Sequence, residues 1–390
     1  MEMPPALPHK TSKDEPSSDS KPLRKPSVHL TAEEYDVYLS HCNRMAISRV
    51  GYQPSPNTVK HNYAFLQGPV REWSDTYACQ STPSLSDEQK QAIIKSLDMF
   101  CIQEPWDTIQ ALLSPPLRDK FHLYLIQAMI NRLMFTRFIE KPFWFLDGKI
   151  DGADVTGDTS FPERLQYLYK RYYEASPINA IWWRMVTLGL ANLKIDQTPK
   201  SPLDKTPYEF GDENRKRQAD TAENLADQLL ADSLFQLLLR DLADAEEKTD
   251  RRQELVNLLQ AGAEYLTEHE VTLGGQVKVH QLPELEKFDP STGLMYSSPI
   301  HSKKQDDNPL SFPKPHGRVV LVVRPGVCRY DLPIEFVPFN HRHLKRLELS
   351  GANTSCLACK AEVLVETVSS DDSSAEFHAD PNDEDVSFIV

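Results

Sequence analysis

Residues 117–148 read LRDKFHLYLIQAMINRLMFTRFIEKPFWFLDG, a stretch that predicts one long helix covered on most of its sides. At about 100° per residue, Lys120, Gln127 and Asn131 fall within about 40° of one another, and most other directions around the helix are apolar. Because so narrow a polar stripe requires neighbours on most sides, we expect this helix at the centre of a helical domain. It should end before Pro142, whose ring cannot continue the hydrogen-bond ladder.

Helical patterns also lie on both sides of this central helix. Ser86 with Gln89 forms a capping-box pattern, in which two side chains satisfy free amides at a helix start. The break at Ser176–Pro177 divides a further helical stretch into an antiparallel pair, which should pack on the central helix. By contrast, four prolines and two glycines predict a long irregular connection at 51–83. Other helices are expected at about 32–50, 86–101, 105–113, 214–242 and 247–268.

After the last of these helices the pattern becomes typical of β structure. Residues 271–279 contain a central Gly-Gly pair between apolar residues and predict a hairpin. The continuous β-branched run at 319–323 predicts a buried strand, and the turn after Pro325 should let 327–330 pair back on it. A last strand is expected at 361–368.

These patterns predict a mainly α protein, in which a multi-helix domain precedes a small β-containing C-terminal part and both termini are disordered. Proline-rich composition at one end and acidic composition at the other predict the disordered tails. An exposed linker or loop is expected near 196–213, where Pro, Lys, Asp and Thr accumulate. The predicted divisions are a disordered tail at 1–28, a helical domain at 29–270, a β-containing region at 271–368 and an acidic disordered tail at 369–390.

Charge and composition restrict the class of protein. The net charge is −14, and residues 371–390 contain seven acids and neither Lys nor Arg. The rest of the chain is therefore only mildly acidic, which argues against a large nucleic-acid interface. We find no secretory signal and no apolar window of about 18 residues, so no membrane span is predicted. Six cysteines in such a chain are typical of reduced thiols, and we expect a cytoplasmic or nuclear protein that is not secreted.

The segment that follows the central helix can be written as a twelve-residue calcium loop. Asp147, Asp151 and Asp158 then occupy positions 1, 5 and 12, and Gly152 occupies position 6, where such loops turn sharply. Lys149, however, places a cation where a ligand oxygen belongs, and an aspartate at position 12 is short for bidentate binding. The favoured interpretation is therefore a solvated loop, with a calcium site as the alternative.

A CxxC pattern near the C-terminus is a candidate zinc site. Cys356 and Cys359 can hold zinc only if two further ligands approach them. His341 and His343 are the nearest candidates, but their order and spacing match no common zinc module. The favoured alternative is a pair of ordinary cysteines.

Aromatic residues around the central helix provide a candidate ligand pocket. Phe143 and Trp144 follow that helix, Trp182 and Trp183 lie on a later one, and Arg132 would supply the polar contact. Aromatic residues at helical spacing belong more often to a core than to a pocket. An arginine on an apolar helix is also more often half of a structural ion pair or a side chain that extends to the surface. We therefore favour the core interpretation.

Two stretches resemble known sequences. KPFWFLDG at 141–148 and GRVVLVVRPGVCRYD at 317–331 are similar to segments of uncharacterised proteins of filamentous fungi. The resemblance implies a helical intracellular protein with disordered ends and a late β-rich segment. It assigns no catalytic residue to this chain, because that group of proteins has no established activity.

No sequence motif specifies a reaction, since the chain contains no glycine-rich phosphate loop, no GxSxG or HExxH pattern and no dinucleotide-binding fingerprint. We therefore predict no catalytic residue and no cofactor. The favoured hypothesis is a non-enzymatic interaction or regulatory protein that binds a protein partner. The sequence leaves open the identity of this partner and the oligomeric state of the chain. One alternative is a small-molecule-binding protein or enzyme that uses the aromatic pocket. Another is a nuclear regulatory protein that uses the basic runs at 214–217 and 341–346.

Overall fold

The computed structural model describes residues 56–192, 209–273, 276–298, 317–330 and 356–367. The helix predicted at 32–50, both terminal tails and most of the linker near 196–213 lie outside these residues. Helices dominate the described part, as predicted, but the two β-sheets in its C-terminal region are substantial.

Ten α-helices lie in the described residues: α1 Pro56–Tyr77, α2 Asp87–Ser96, α3 Trp106–Ala111, α4 Pro115–Asp119, α5 Phe121–Met134, α6 Phe161–Ala175, α7 Pro177–Ala191, α8 Glu209–Ala231, α9 Ser233–Gln236 and α10 Ala245–Leu273. The strands are β1 Gln276–His280, β2 Lys287–Phe288, β3 Met295–Ser297, β4 Gly317–Arg324, β5 Gly326–Tyr330, β6 Cys356–Cys359 and β7 Ala361–Val365. The predicted capping box is confirmed, because Ser86 and Gln89 exchange both hydrogen bonds at the start of α2. None of the described helices has the length and apolar character needed to cross a membrane.

Helix α5 lies at the centre of the fold, as its sequence predicts. Eleven of its fourteen residues are buried, and part of its polar stripe contacts protein instead of water. The Asn131 side-chain amide donates to the Val323 carbonyl oxygen at 2.9 Å and to Gln67 Oε1 at 3.3 Å. The chain continues from α5 into a π-helical turn, Phe135–Ile139, and leaves helical geometry before Pro142, as predicted.

The prediction of an irregular connection at 51–83 is wrong, because α1 occupies most of it. Pro69 lies inside this helix, where it removes one backbone hydrogen bond. Burial of every third or fourth side chain offsets that loss, since helices in proteins are stabilised mainly by tertiary packing. The buried side chains are Tyr63, Leu66, Val70, Trp73 and Tyr77.

The strands form two sheets, with the orders β2-β4-β7-β3 and β1-β5-β6. The buried strand predicted at 319–323 is confirmed as part of β4, which pairs antiparallel with β2 and β7. The predicted return of 327–330 onto this strand is wrong, because β4 already has a neighbour on each edge and β5 pairs with β1 and β6. The predicted hairpin at 271–279 is also wrong. Helix α10 continues to Leu273, and β1 pairs with β5.

Helices and sheets share one main hydrophobic core, in which β4 packs against α5 and the side chains at 319–323 are fully buried. A second, smaller group of buried side chains, the aromatic cluster, forms around the segment that follows α5. Helices α6 and α7 pack on each other as predicted. Both also pack on residues 143–146, and α7 packs on α10, so their main contacts are not with the central helix. The buried members of the aromatic cluster are Phe143, Phe145, Leu146, Tyr169, Ala180, Leu188 and Ala191.

Candidate functional site

The segment predicted as a calcium or solvated loop forms a closed loop, residues 147–158. The Asp158 amide donates to the Asp147 carbonyl oxygen at 2.6 Å and joins the two ends. Gly157 lies beside this bond with φ of +64°, a left-handed conformation that favours glycine. Arg217 fixes the loop from α8, because it donates to the Phe145 carbonyl oxygen at 3.0 Å and to the Asp147 carboxylate.

The three aspartates of the calcium hypothesis do not converge. Asp147 binds Arg217, and Asp158 binds Arg164 and the Ser160 amide. Asp151 Oδ1 accepts the amides of two following residues of the loop, at 2.8 and 3.1 Å. Among the described residues, which include the whole loop, no group of three or more His, Cys, Asp or Glu side chains could hold a metal ion. The calcium alternative therefore has no support in the geometry, because these carboxylates bind protein groups.

Asp154 organises the middle of the closed loop. Its carboxylate accepts the amides of Gly157 at 2.9 Å, Thr156 at 3.1 Å and Ile150 at 3.2 Å. These bonds, above all the one from Gly157, stabilise the charged form and lower the pKa of Asp154. The loop conformation is therefore fixed from within.

The closed loop exposes two aliphatic side chains. Ile150 is 91 % exposed and Val155 is 89 % exposed. Single exposed apolar residues are normal in proteins, but here they are concentrated in one part of the chain. Six of the seven large apolar side chains that are exposed in the described residues lie between 150 and 210, on the loop, on α6, at the end of α7 and at the start of α8.

The aromatic side chains predicted to line a pocket contact one another. The Phe143 and Trp183 ring centroids are 5.6 Å apart, and the Trp144 ring lies 4.7 Å from that of Phe138. Arg132 is elsewhere, on the exposed side of α5, where it donates to the Ser96 carbonyl oxygen. The structure thus separates Arg132 from the aromatic residues, and Phe143, Trp144 and Trp183 pack as a core. The side chain of Trp182 lies outside the described part.

The candidate zinc ligands are described only in part. Cys359 is buried in β6, and burial raises the pKa of its thiol. The side chain of Cys356 and the residues His341 and His343 lie outside the described ranges. The zinc site therefore stays a prediction.

A buried carboxylate on β7, which the sequence analysis does not single out, joins several elements. Glu362 is fully buried, and Arg71 Nη2 on α1 donates to its Oε2 at 2.5 Å. The Tyr296 hydroxyl donates to the same oxygen at 2.9 Å, and the Ser298 hydroxyl donates to Oε1 at 2.9 Å. We call these residues, together with Arg324 and Tyr124, the Glu362 cluster.

Arg324 lies opposite Glu362 in the β4–β7 pairing and is 6 % exposed. Its Nη2 donates to the Lys360 carbonyl oxygen at 3.0 Å and to the Tyr296 hydroxyl at 3.3 Å. Burial raises the pKa of Tyr296 and that of Tyr124 to about 12, so both phenols stay protonated. Because both oxygens of Glu362 accept hydrogen bonds and the phenols are neutral, this arrangement suits a clamp between α1 and the sheet better than proton transfer.

A polar depression of about 250 Å³ lies where α1 ends and α5 begins. Its walls contain Cys79 and His122 together with the charged residues Asp75, Asp119, Lys120 and Arg240. His122 Nε2 lies 2.9 Å from the Cys79 carbonyl oxygen, and Cys79 Sγ donates to the Leu239 carbonyl oxygen at 3.2 Å.

Burial lowers the pKa of His122 and raises that of the Cys79 thiol. A neutral imidazole bonded to a carbonyl oxygen, beside a protonated thiol, is not the pair that nucleophilic catalysis by cysteine requires.

No family model, curated protein or solved structure matches this chain. The resemblance to filamentous fungal proteins therefore stays a prediction.

A signal for the Glu362 cluster is present in the sequence, since Glu362 interrupts the apolar run AEVLV and Arg324 ends the run GRVVLVV. A charge inside a continuous apolar strand indicates a buried, paired side chain.

Proposed function

We propose that this chain is a non-enzymatic interaction protein, and that the closed loop with the exposed face of α6 is its docking surface. The observation that carries this proposal is the near-complete exposure of Ile150 and Val155 on a loop that its own hydrogen bonds hold in place. Burial of aliphatic surface stabilises a complex, and an ordered loop loses little conformational entropy when it binds.

The polar groups elsewhere in the described part support the same proposal. Glu362 is engaged by Arg71, Tyr296 and Ser298, and His122 bonds a backbone carbonyl oxygen. Neither arrangement presents an activated acid, base or nucleophile to an open cavity. The alternative of a small-molecule pocket loses support, because the aromatic side chains that would line it contact one another.

We further propose a reducing compartment, cytoplasmic or nuclear. Cys79, Cys101 and Cys359 are free thiols, which such a compartment maintains. The nuclear alternative has less support from the run at 214–217, because Arg217 is engaged by Asp147 and Arg215 by Asp212. Exclusion of the fluorescently tagged chain from the nucleus would contradict nuclear regulation.

Site-specific photocrosslinking tests the docking surface. A photoreactive amino acid replaces Ile150 or Tyr167 in the full chain, which is then irradiated in living cells that produce the protein. We expect discrete crosslinked products from both positions, because both side chains point into solvent in the isolated chain. The matched control is Lys95, an exposed position on α2, which should give none of these products. Products that are absent at 150 and 167, or identical at 95, would overturn the proposal.

A further inference from the structure

We propose that the closed loop and helix α6 bind a second copy of this chain, in a twofold arrangement in which the loop of each protomer lies on α6 of its partner. This inference rests on the proposed function, because it names the partner of the same surface. In a twofold interface one surface serves both protomers, so that surface must contain two complementary parts. The loop is acidic and the exposed face of α6 is basic, so the two parts are complementary in charge.

The closed loop is the acidic and aliphatic part. It contains four aspartates and one lysine, and it exposes Ile150 and Val155. Two of the aspartates are neutralised by arginines, as described above. Within the described part, Asp151 and Asp154 bond only to amides and a hydroxyl of the loop itself. Their negative charges are therefore available to a cation from another chain.

Helix α6 is the basic and aromatic part. Tyr167 is 65 % exposed, and Lys170 and Arg171 follow it by three and four residues, which places all three on one helix face. Lys170 forms no ion pair within the described residues, and Arg171 pairs only with the exposed Glu174 on the same helix, at 2.8 Å. Such exposed pairs contribute little to stability, so Arg171 can exchange its partner readily.

The two parts are adjacent but do not satisfy each other within one chain. The loop lies over the first turn of α6, because Asp158 binds Arg164 and Gly148 lies against Phe161. Lys170 lies nine residues beyond Phe161, about 14 Å along the helix axis. A second copy related by a twofold axis perpendicular to α6 places its loop over this distant half of the helix. Ile150 and Val155 of one copy then meet Tyr167 of the other, and Asp151 meets Lys170.

Sedimentation velocity of the purified full chain over a range of concentrations tests this inference. We expect reversible association of the 44.5 kDa chain to a species of twice that mass. Ile150→Asp and Lys170→Glu should each raise the dissociation constant by about tenfold or more, because each removes an attractive contact and adds a repulsive one. Lys95→Glu is the matched control on α2 and should leave association unchanged.

A double-mutant cycle identifies the contact across the interface. Asp151→Asn keeps the side-chain oxygen that accepts the loop amides but removes the charge, and Lys170→Gln removes the opposite charge. If the two side chains pair between protomers, the double variant should weaken association by less than the product of the single effects. Equal urea-unfolding curves, measured at a concentration at which every variant is monomeric, show that the fold of the single chain is unchanged.

The results separate this inference from the proposed function. A chain that stays monomeric at every concentration, or a dimer that Ile150→Asp and Lys170→Glu leave intact, overturns the inference. Crosslinks from position 150 to a different protein would then keep the proposed function while the second copy is rejected. If neither 150 nor 167 crosslinks in cells, the proposed function fails, whatever the purified chain does.

Discussion

The main core, around α5 and β4, and the aromatic cluster, around Phe143, differ in what they bury and what they leave exposed. The main core encloses Glu362 and supplies it with an arginine and two hydroxyl groups. The aromatic cluster has seven buried members, and the exposed large apolar side chains are concentrated around it. The main core thus surrounds a buried carboxylate with its partners. The aromatic cluster also packs against a buried ion pair, Arg184 with Glu270, but the surface around it leaves apolar side chains in water.

This difference separates folding from recognition within one chain. A buried carboxylate is tolerated only when hydrogen bonds and opposite charges replace its water, so the Glu362 cluster must be complete for the core to form. Exposed aliphatic side chains add little to folding, but they supply free energy when a partner covers them. The first region is therefore expected to govern stability, and the surroundings of the second to govern association.

The largest effect should follow from removal of the buried charge. We expect Glu362→Ala to lower the free energy of unfolding by about 3–5 kcal/mol, because the buried Arg324 and the partly exposed Arg71 lose the negative charge beside them. Urea unfolding followed by circular dichroism measures the change. Glu362→Gln keeps an acceptor oxygen and should cost less. A loss below about 1 kcal/mol for the alanine variant would contradict the clamp.

A truncation in the aromatic cluster should have a smaller and more local effect. Phe143→Ala leaves a cavity beside Trp183 and Tyr169 and should cost about 3 kcal/mol. Hydrogen exchange should accelerate in α6 and α7 while the amides of α5 and β4 keep their protection. Equal acceleration in α5 would show that the main core and the aromatic cluster unfold as one unit.

The closed loop can be tested through its glycines. A Cβ at Gly157 would lie 2.3 Å from the Asp147 carbonyl oxygen, so Gly157→Ala must disturb the bond that closes the loop. We expect a loss of more than about 1 kcal/mol, since the left-handed backbone also disfavours alanine. Gly152→Ala is the control, because a Cβ there meets nothing within 4 Å. Unchanged unfolding of the Gly157 variant would mean that loop closure does not depend on this residue.

The smallest effect concerns pH and the main core. Because burial lowers the pKa of His122, the unfolded chain binds its proton more tightly than the folded chain does. The stability that this group contributes is fully present above its ordinary pKa of about 6.5 and is lost as pH falls below that value. His122→Asn should reduce the fall in unfolding free energy between about pH 7.5 and about pH 5.5.

Part of that fall should remain in the variant, because burial also lowers the pKa of His280. Chemical denaturation at a series of pH values measures the slope of the unfolding free energy against pH. An unchanged slope in His122→Asn would show that this side chain does not titrate across the transition.

Several elements could be predicted because their signals are local. The central helix follows from its narrow polar stripe, the start of α2 from Ser86 and Gln89, and β4 from its β-branched run. The spacing of aromatic and aliphatic residues in 63–77 is typical of helix α1, but the four prolines and two glycines of 51–83 favour an irregular connection. The candidate site was predicted only as a segment, since the composition of 147–158 indicates a loop without specifying which groups its aspartates bind.

The sequence by itself determined where most of the described helices and one buried strand form, because periodicity and capping act over a few residues. Only the tertiary structure decided the strand partners, the burial of Glu362 beside Arg71, and the separation of Arg132 from Phe143. Glu362 and Arg71 are 291 residues apart in the chain, a separation over which no local pattern carries information. The pairing of such residues depends on the packing of the whole core, which fixes the position of each charge relative to every other.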